Sequence, residues 1–600
     1  MNRAPVILGG IIAIGALGVL LVFLNWNTAV QLVSMAVNSA EYASAPAGAL
    51  TTELASGSAP NSPPRPASKP SQAPDQTPGA TADDWPSYNK TLTSDRYSGL
   101  TQINTSNVGG LHVLCTYDTG QFTGFNSGLL EVQNALIAVT EYDIFSINPS
   151  NCRLNWRTHE HYTPASPQGV NRGAAYMDGR LFRGTQDGRV LAYDFQTGKR
   201  LWQTTIADPK KGESVPAAPI AWNGLVFVGN AGGDVKGVKG RMYALDARTG
   251  RIVWEFYLVP RGPGDPIRGP EAPAGPSVAS TWGNGAGTPI TGGATWTSYT
   301  LDPVKGLLYV PGGNPAPDFA PGMREGPDLY TGSMVILDAK TGAYRNHLKI
   351  VPVDWHDWDV SSAPAIISTA GGRTVLSVAP KDGHLYGFDL ATNALLYRTG
   401  VTRVENPNER FSPEKPVHFC PGSVGGAEWN GPAYDPQTNL VLTGEIDWCT
   451  TVKVKQPKQI DKTKTGAPWS AEDSLNPYNT WGKQDPFGHW SGWLYASDAD
   501  TGAWKWRART NYPIQSGVTP TAGGVVFFGD MGGNFYALDA GDGHKLWGRK
   551  IGGAIGGGVI TYVSDGTQKV AVATGLTEIL WPTQVTTAKV SVLGLDSGAR

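Results

Sequence analysis

The sequence predicts an all-β fold, an eight-bladed β-propeller of tryptophan-docking repeats preceded by one N-terminal transmembrane helix. Three observations carry this prediction. First, a strand, a tight turn of the Asp-x-x-Thr-Gly type and a second strand ending in tryptophan recur, with variation: "LAYDFQTGKRLW" to Trp202, "YALDARTGRIVW" to Trp254, "YASDADTGAWKW" to Trp506 and "YALDAGDGHKLW" to Trp547. Second, short β runs bounded by glycine, such as "NGLVFVG", "KGLLYVPGG" and "GGVVFFGD", lie between the copies. Third, with 76 Gly, 45 Pro and only 16% charged residues, the 600-residue chain is turn-rich and globular rather than helical or disordered.

Taken in order, the chain begins with Arg3 and then "APVILGGIIAIGALGVLLVFLNW", an uncharged apolar run long enough to span a bilayer. A secretory apolar core is usually only about 7–15 residues, so residues 4–26 are expected to be an uncleaved anchor with the basic end in the cytoplasm. A cleaved export signal is the alternative. The expected location is the bacterial inner membrane, single-pass, with the propeller in the periplasm. Residues 38–83 are rich in Ala, Ser and Pro and read as a linker that builds no core.

Residues 84–600 are expected to form the propeller. Degenerate turn copies around Asn151, Asp338 and Asp389 bring the visible motifs to seven. An eighth blade can be assembled from the C-terminal "GGVITYVSDGTQKVAVATG" and the N-terminal "GLHVLCTYDTG", so that both ends close the ring. The repeating tryptophans are expected to be flat packing residues on the glycine peptides of neighbouring turns. Cys115 stands where the N-terminal strand should carry its tryptophan, and Cys152 where the next turn should carry its glycine. A Cys115–Cys152 bond would then replace a stacking contact. Cys420 and Cys449 flank "PAYDPQTNLVLTGEID", a predicted hairpin that they would staple. Four cysteines in two bonds suit an oxidising compartment.

A formal charge of −2 excludes a nucleic-acid footprint. The informative charge is local. "VPVDWHDWDVSSAP" crowds Asp354, Asp357 and Asp359 together, and such acids repel unless a cation lies near or all face water. Other side chains that the repeat does not require stand at Arg172 in "GVNRG", Asp234 in "GNAGGD", Trp296 in "GGATWTSYTLDP", Asn314 in "YVPGGNPAP" and Lys381 in "APKDG". Taken singly, each has an ordinary reading as core aromatic, turn former or surface charge.

In order, these motifs resemble the quinoprotein alcohol dehydrogenases, eight-bladed propellers that hold pyrroloquinoline quinone (PQQ) and a metal ion on the axis. The resemblance runs from "DWPSYNKTLTSDRYSGLTQINTSNVGGL" at residue 84 almost to the end. It implies that Val170, Arg172, Lys381 and Glu428 contact the quinone and that Trp296 forms its floor. It also implies that Asp234, Asn314 and Asp359 bind Ca2+ or, alternatively, a lanthanide. A gapless count from Gly342 puts the catalytic base on Asp357, whereas a shifted count would make Asp359 the base. The Cys420–Cys449 spacing matches a disulfide of some members. The family's covering cysteine pair falls on Ser166 and Pro167, and small polar contacts fall on Pro216, Ala231 and Ala294. Glu428 replaces a usual asparagine.

The resemblance therefore implies a PQQ- and metal-dependent dehydrogenase that oxidises an alcohol to an aldehyde or ketone. With no C-x-x-C-H haem site in the sequence, electrons would pass to an external cytochrome c or membrane quinone. The alternative is a non-catalytic membrane-tethered propeller that serves as a scaffold or complex subunit. A polysaccharide-binding propeller has only surface aromatics in its favour.

Overall fold

The computed structural model describes residues 49–56, 81 and 83–596, except 167, 286, 474–480 and 579. Eight antiparallel sheets, each with four strands in the ring, follow one another along the chain. Blades 1 to 7 take up residues 130–159, 175–205, 220–257, 300–349, 365–400, 433–510 and 519–550. Blade 8 joins Val559–Ser564, Thr567–Thr574 and Lys589–Gly594 to the N-terminal strand His112–Asp118, which pairs with Lys589–Gly594. Most first strands of blades are buried throughout, as in Leu130–Val132 and Ala175–Met177. Several fourth strands alternate towards solvent, as in Leu154–His159 and Arg200–Thr205. The apolar core is accordingly a series of layers between neighbouring blades. Leu130, Ile137 and Val139 of blade 1, for example, pack on Leu181, Leu191 and Tyr193 of blade 2.

The repeated turn explains itself in hydrogen bonds. The Asp194 carboxylate accepts from the Thr197 backbone N–H (2.9 Å) and hydroxyl (2.7 Å), and Asp246, Asp338 and Asp498 do the same for their threonines. The closing glycine then turns into the left-handed region, at φ 68° for Gly198 and 74° for Gly250. A Cβ there would overlap the tryptophan of the preceding blade: Trp156 on Gly198, Trp202 on Gly250, Trp254 on Gly342 and Trp506 on Gly543. Each of these indoles also donates across the blade boundary, Trp156 to the Phe195 carbonyl (3.0 Å) and Trp506 to the Ala540 carbonyl (3.1 Å). Tyr397 takes the tryptophan's place against Gly502. At the ring closure Cys115 is bonded to Cys152, with Cα atoms 5.8 Å apart, and Cys152 keeps the left-handed φ of the glycine it replaces, 57°. Cys420 and Cys449 form the second bond.

Two expectations are corrected. No helix among the described residues is long and apolar enough to cross a membrane, and residues 4–26 lie outside them. The described fold is an all-β propeller, the transmembrane helix finds no support in it, and the single-pass inner-membrane location is withdrawn. Within the segment read as linker, Leu50–Leu54 is a strand. It pairs antiparallel with Trp504–Thr510 as a fifth strand on blade 6, and the Glu53 carboxylate accepts from Arg507 Nη2 (2.6 Å). The partner edge creates that strand, because "LTTEL" carries no repeat signal of its own.

Candidate active site

Because the strands of a blade alternate in direction, connections from strand two to three and from one blade to the next emerge on one face of the ring. The Asp-x-x-Thr-Gly turns emerge on the other. Arg172, Trp296, Asp357, Asp359 and Glu428 lie between blades, each shortly before a first strand. Asp234, Asn314 and Lys381 follow second strands. One set of motifs thus builds the ring and the other meets on its opposite face. There a cavity of about 390 Å³ is lined by all nine residues expected at the site: Val170, Arg172, Asp234, Trp296, Asn314, Asp357, Asp359, Lys381 and Glu428.

The acids surround one ammonium. Lys381 Nζ lies 2.9 Å from Asp359 Oδ2 and 3.4 Å from Asp357 Oδ2. The other oxygen of Asp359 accepts from the Asn314 backbone N–H at 2.7 Å. That approach requires Gly313, since a Cβ there would stand 2.8 Å from Asp359 Oδ1. Asp357 adopts φ 68°, a left-handed conformation that Asp tolerates better than most residues. One oxygen from each of Asp234, Asp318 and Asp357 lies within 4.8 Å of the others. Burial pushes the Asp357 carboxyl well above the usual range against the pull of Lys381, with Asp359 and Asp234 adding to the rise. Burial also raises Asp234, to about 6, helped by Asp359 and opposed by Lys381. Burial disfavours the Lys381 charge, but Asp357 and Asp359 prevail and hold the ammonium well above its usual value.

Beside this cluster lies an aromatic floor. The Arg172 guanidinium stands 4.5 Å from the Trp296 ring and 4.9 Å from that of Trp429, and Lys381 Nζ is 5.5 Å from Trp296. Arg172 Nε and Glu428 Oε2 are buried without a hydrogen-bond partner. Burial pushes Glu428 up to about 7, opposed by Lys381 and Arg172, so its carboxyl can donate as well as accept. Asp318 and Trp429 escaped the sequence reading. Asp318 directly follows the "GNPAP" segment and Trp429 directly follows Glu428, and those adjacencies were the available signals. Ser166, Pro216, Ala231 and Ala294 line the cavity, while Pro167 lies outside the described residues.

The loop that carries Asp357 and Asp359 is held from behind. His356 stacks on Trp358 (centroids 4.0 Å, interplanar angle 14°) and meets the edges of Phe411 and Phe419. Trp358 Nε1 donates to the Pro421 carbonyl at 3.3 Å, next to Cys420. Burial lowers His356 to about 3, and both its ring nitrogens are buried without partners, so the imidazole is a neutral packing plate. Unmade hydrogen bonds at buried groups cost roughly 1–3 kcal/mol. His356→Phe is therefore expected to raise the melting temperature and leave turnover within about twofold, because the ring serves packing alone. A fall in both would show that the imidazole is chemically required.

The residues fit an anionic planar cofactor and a hard cation. The floor is aromatic, two cations stand over it, buried polar atoms await partners, and the donors beside them are carboxylate oxygens. Fold and site together define a propeller enzyme that works with such a pair. The PQQ family described as "Glucose/ethanol/alcohol dehydrogenase, beta-propeller domain" matches residues 85–417 and 398–570. The chain is 30% identical over 534 residues to the lanthanide-dependent methanol dehydrogenase of Methylacidiphilum fumariolicum (strain SolV), covering 82% of this chain and 84% of that protein. It is 31% identical over 555 residues to the dehydrogenase subunit of the quinone alcohol dehydrogenase of Gluconobacter oxydans (strain 621H), covering 83% and 71%. Among solved structures it resembles a europium-containing methanol dehydrogenase, with a TM-score of 0.74, 26% identity and coverage of 86% of this chain and 98% of that one. The chain belongs to the family of PQQ-dependent alcohol dehydrogenases, and is an oxidoreductase.

Proposed function

We propose that the protein oxidises an alcohol to an aldehyde or ketone, with Asp357 as the general base. The observation that supports this most directly is the convergence of Asp357, Lys381, Arg172 and Trp296 on one buried cavity. Removing the hydroxyl proton while hydride leaves the carbon needs a carboxylate at the reacting oxygen. Lys381 beside Asp357 favours its ionised form.

Trp296 would support the quinone from below, and Arg172, Lys381, Val170 and Glu428 would hold its edge. Asp234, Asn314 and Asp359 would hold Ca2+ or a lanthanide. When bound, PQQ supplies the hydride-accepting carbonyl and the ion supplies Lewis acidity. Electrons would leave to a cytochrome c or a quinone.

The test reconstitutes the full chain with PQQ and either Ca2+ or La3+, then follows dye reduction with a panel of alcohols. Reduction that requires PQQ, metal and alcohol together is expected. A folded protein that binds no PQQ overturns the reading and leaves a scaffold propeller in its place.

A further inference from the structure

We propose that Asp318 is an additional carboxylate ligand of the metal and sets the site to prefer a trivalent over a divalent ion. The inference rests on the dehydrogenase reading above and assigns a role to a residue outside the expected ligand set. Asp318 is 1% exposed and is fixed by its backbone, whose N–H donates to the Trp469 carbonyl at 3.2 Å. One carboxylate oxygen accepts from Asn314 Nδ2 at 2.8 Å, while the other is buried with no hydrogen-bond partner. A bound cation would satisfy that oxygen, since a buried acceptor without a partner is costly.

The spacing suits one ion. Oxygens that bind the same hard cation at about 2.3–2.6 Å can stand no further apart than about 5 Å. Ligand oxygens of Asp234, Asp318 and Asp357 lie within 4.8 Å of one another, and Asn314, bonded to Asp318, leads to Asp359 through its own N–H.

The nearby cations make their hydrogen bonds to other groups. Arg324 is committed to Asp328 (3.2 Å), the Asp354 carbonyl (2.7 Å) and the Pro317 carbonyl (3.4 Å). Lys381 is committed to Asp357 and Asp359. Around the site, Asp234, Asp318, Asp357 and Asp359 set four carboxylates against the Lys381 ammonium. With an ion bound and all four carboxyls ionised, a trivalent ion offsets the remaining three negative charges, and a divalent ion leaves one. Without Asp318 the balance moves to the divalent ion.

The experiment uses the full chain loaded with PQQ and stripped of metal by a chelator. Wild type and Asp318→Asn are titrated calorimetrically with La3+ and with Ca2+, and melted with and without each ion. The wild type is expected to bind La3+ more tightly than Ca2+. Asp318→Asn should lose at least about tenfold in La3+ affinity and less in Ca2+ affinity, since ligand charge count tunes such sites. The metal-free variant should melt no lower than wild type, because a buried like charge has gone, and its La3+-induced rise should shrink. Asp318→Ser, which leaves room for a water ligand, should show the same loss of selectivity. Unchanged La3+ affinity overturns the proposal. A lower metal-free melting temperature with the La3+-induced rise intact also overturns it, by showing a structural role. Failure of wild type to bind either ion overturns the metal-centre reading itself.

Discussion

Asp357→Asn is expected to lower turnover by at least about 10²–10⁴-fold, the usual contribution of a general base, and the loss should persist when PQQ and metal are supplied to saturation. Asn matches Asp in shape and accepts the left-handed φ of 68° at this position, so the loop should keep its path. What disappears is the ability to take a proton beside Lys381, 3.4 Å away. Asp359 is placed differently, with one oxygen on the Asn314 N–H and the other on Lys381. Asp359→Asn should therefore act mainly through metal affinity and recover when the ion is in excess. Turnover of both variants, measured over a metal titration, separates the roles. An active Asp357→Asn beside an Asp359→Asn that stays dead at full metal occupancy would move the base to Asp359.

Opening the Cys115–Cys152 clasp is expected to cost about 3–4 kcal/mol in the chain-entropy model, given the 37-residue separation of the two cysteines. Beyond the disulfide this boundary rests on apolar packing, with Ile560, Tyr562 and Ala571 of blade 8 against Leu136, Ala138 and Phe145 of blade 1. Five other boundaries carry an aromatic ring on a glycine, but here the ring is missing and the glycine position holds Cys152 at φ 57°. Cys115→Ala/Cys152→Ala should melt at a lower temperature, with faster amide exchange concentrated in His112–Asp118 and Lys589–Gly594. An unchanged melting temperature and exchange pattern would show that strand pairing alone holds the closure.

The ring was legible because its joints are short-range chemistry. Asp194 binding Thr197, and Gly198 receiving Trp156, are both consequences of residue type at fixed spacing. The cavity was legible where an unusual side chain stood in a recognisable segment, as at Arg172, Trp296 and Lys381. Asp318 was not, because an acid after Pro317 looks like any loop carboxylate until the fold sets it beside Asp234 and Asp357. Leu50–Leu54 was illegible for a related reason: its strand exists only against the free edge of Trp504–Thr510. The apolar run over 4–26 pointed to an anchor, and the described structure holds no such helix.

The mixed parentage of blade 8 governs the order in which the molecule can be finished. Its outer strand, His112–Asp118, is made early, and its partner, Lys589–Gly594, lies almost at the end of the chain. At synthesis rates of about 5–20 residues per second, the wait between them is on the order of tens of seconds. Earlier blades can form from local hairpins during that time, but the N-terminal strand has nothing to pair with, and blade 1 keeps one flank uncovered. Unpaired edges of this kind recruit other chains. A polypeptide cut short before Lys589 would carry both defects permanently, so one late pairing event separates a finished ring from an aggregation-prone one.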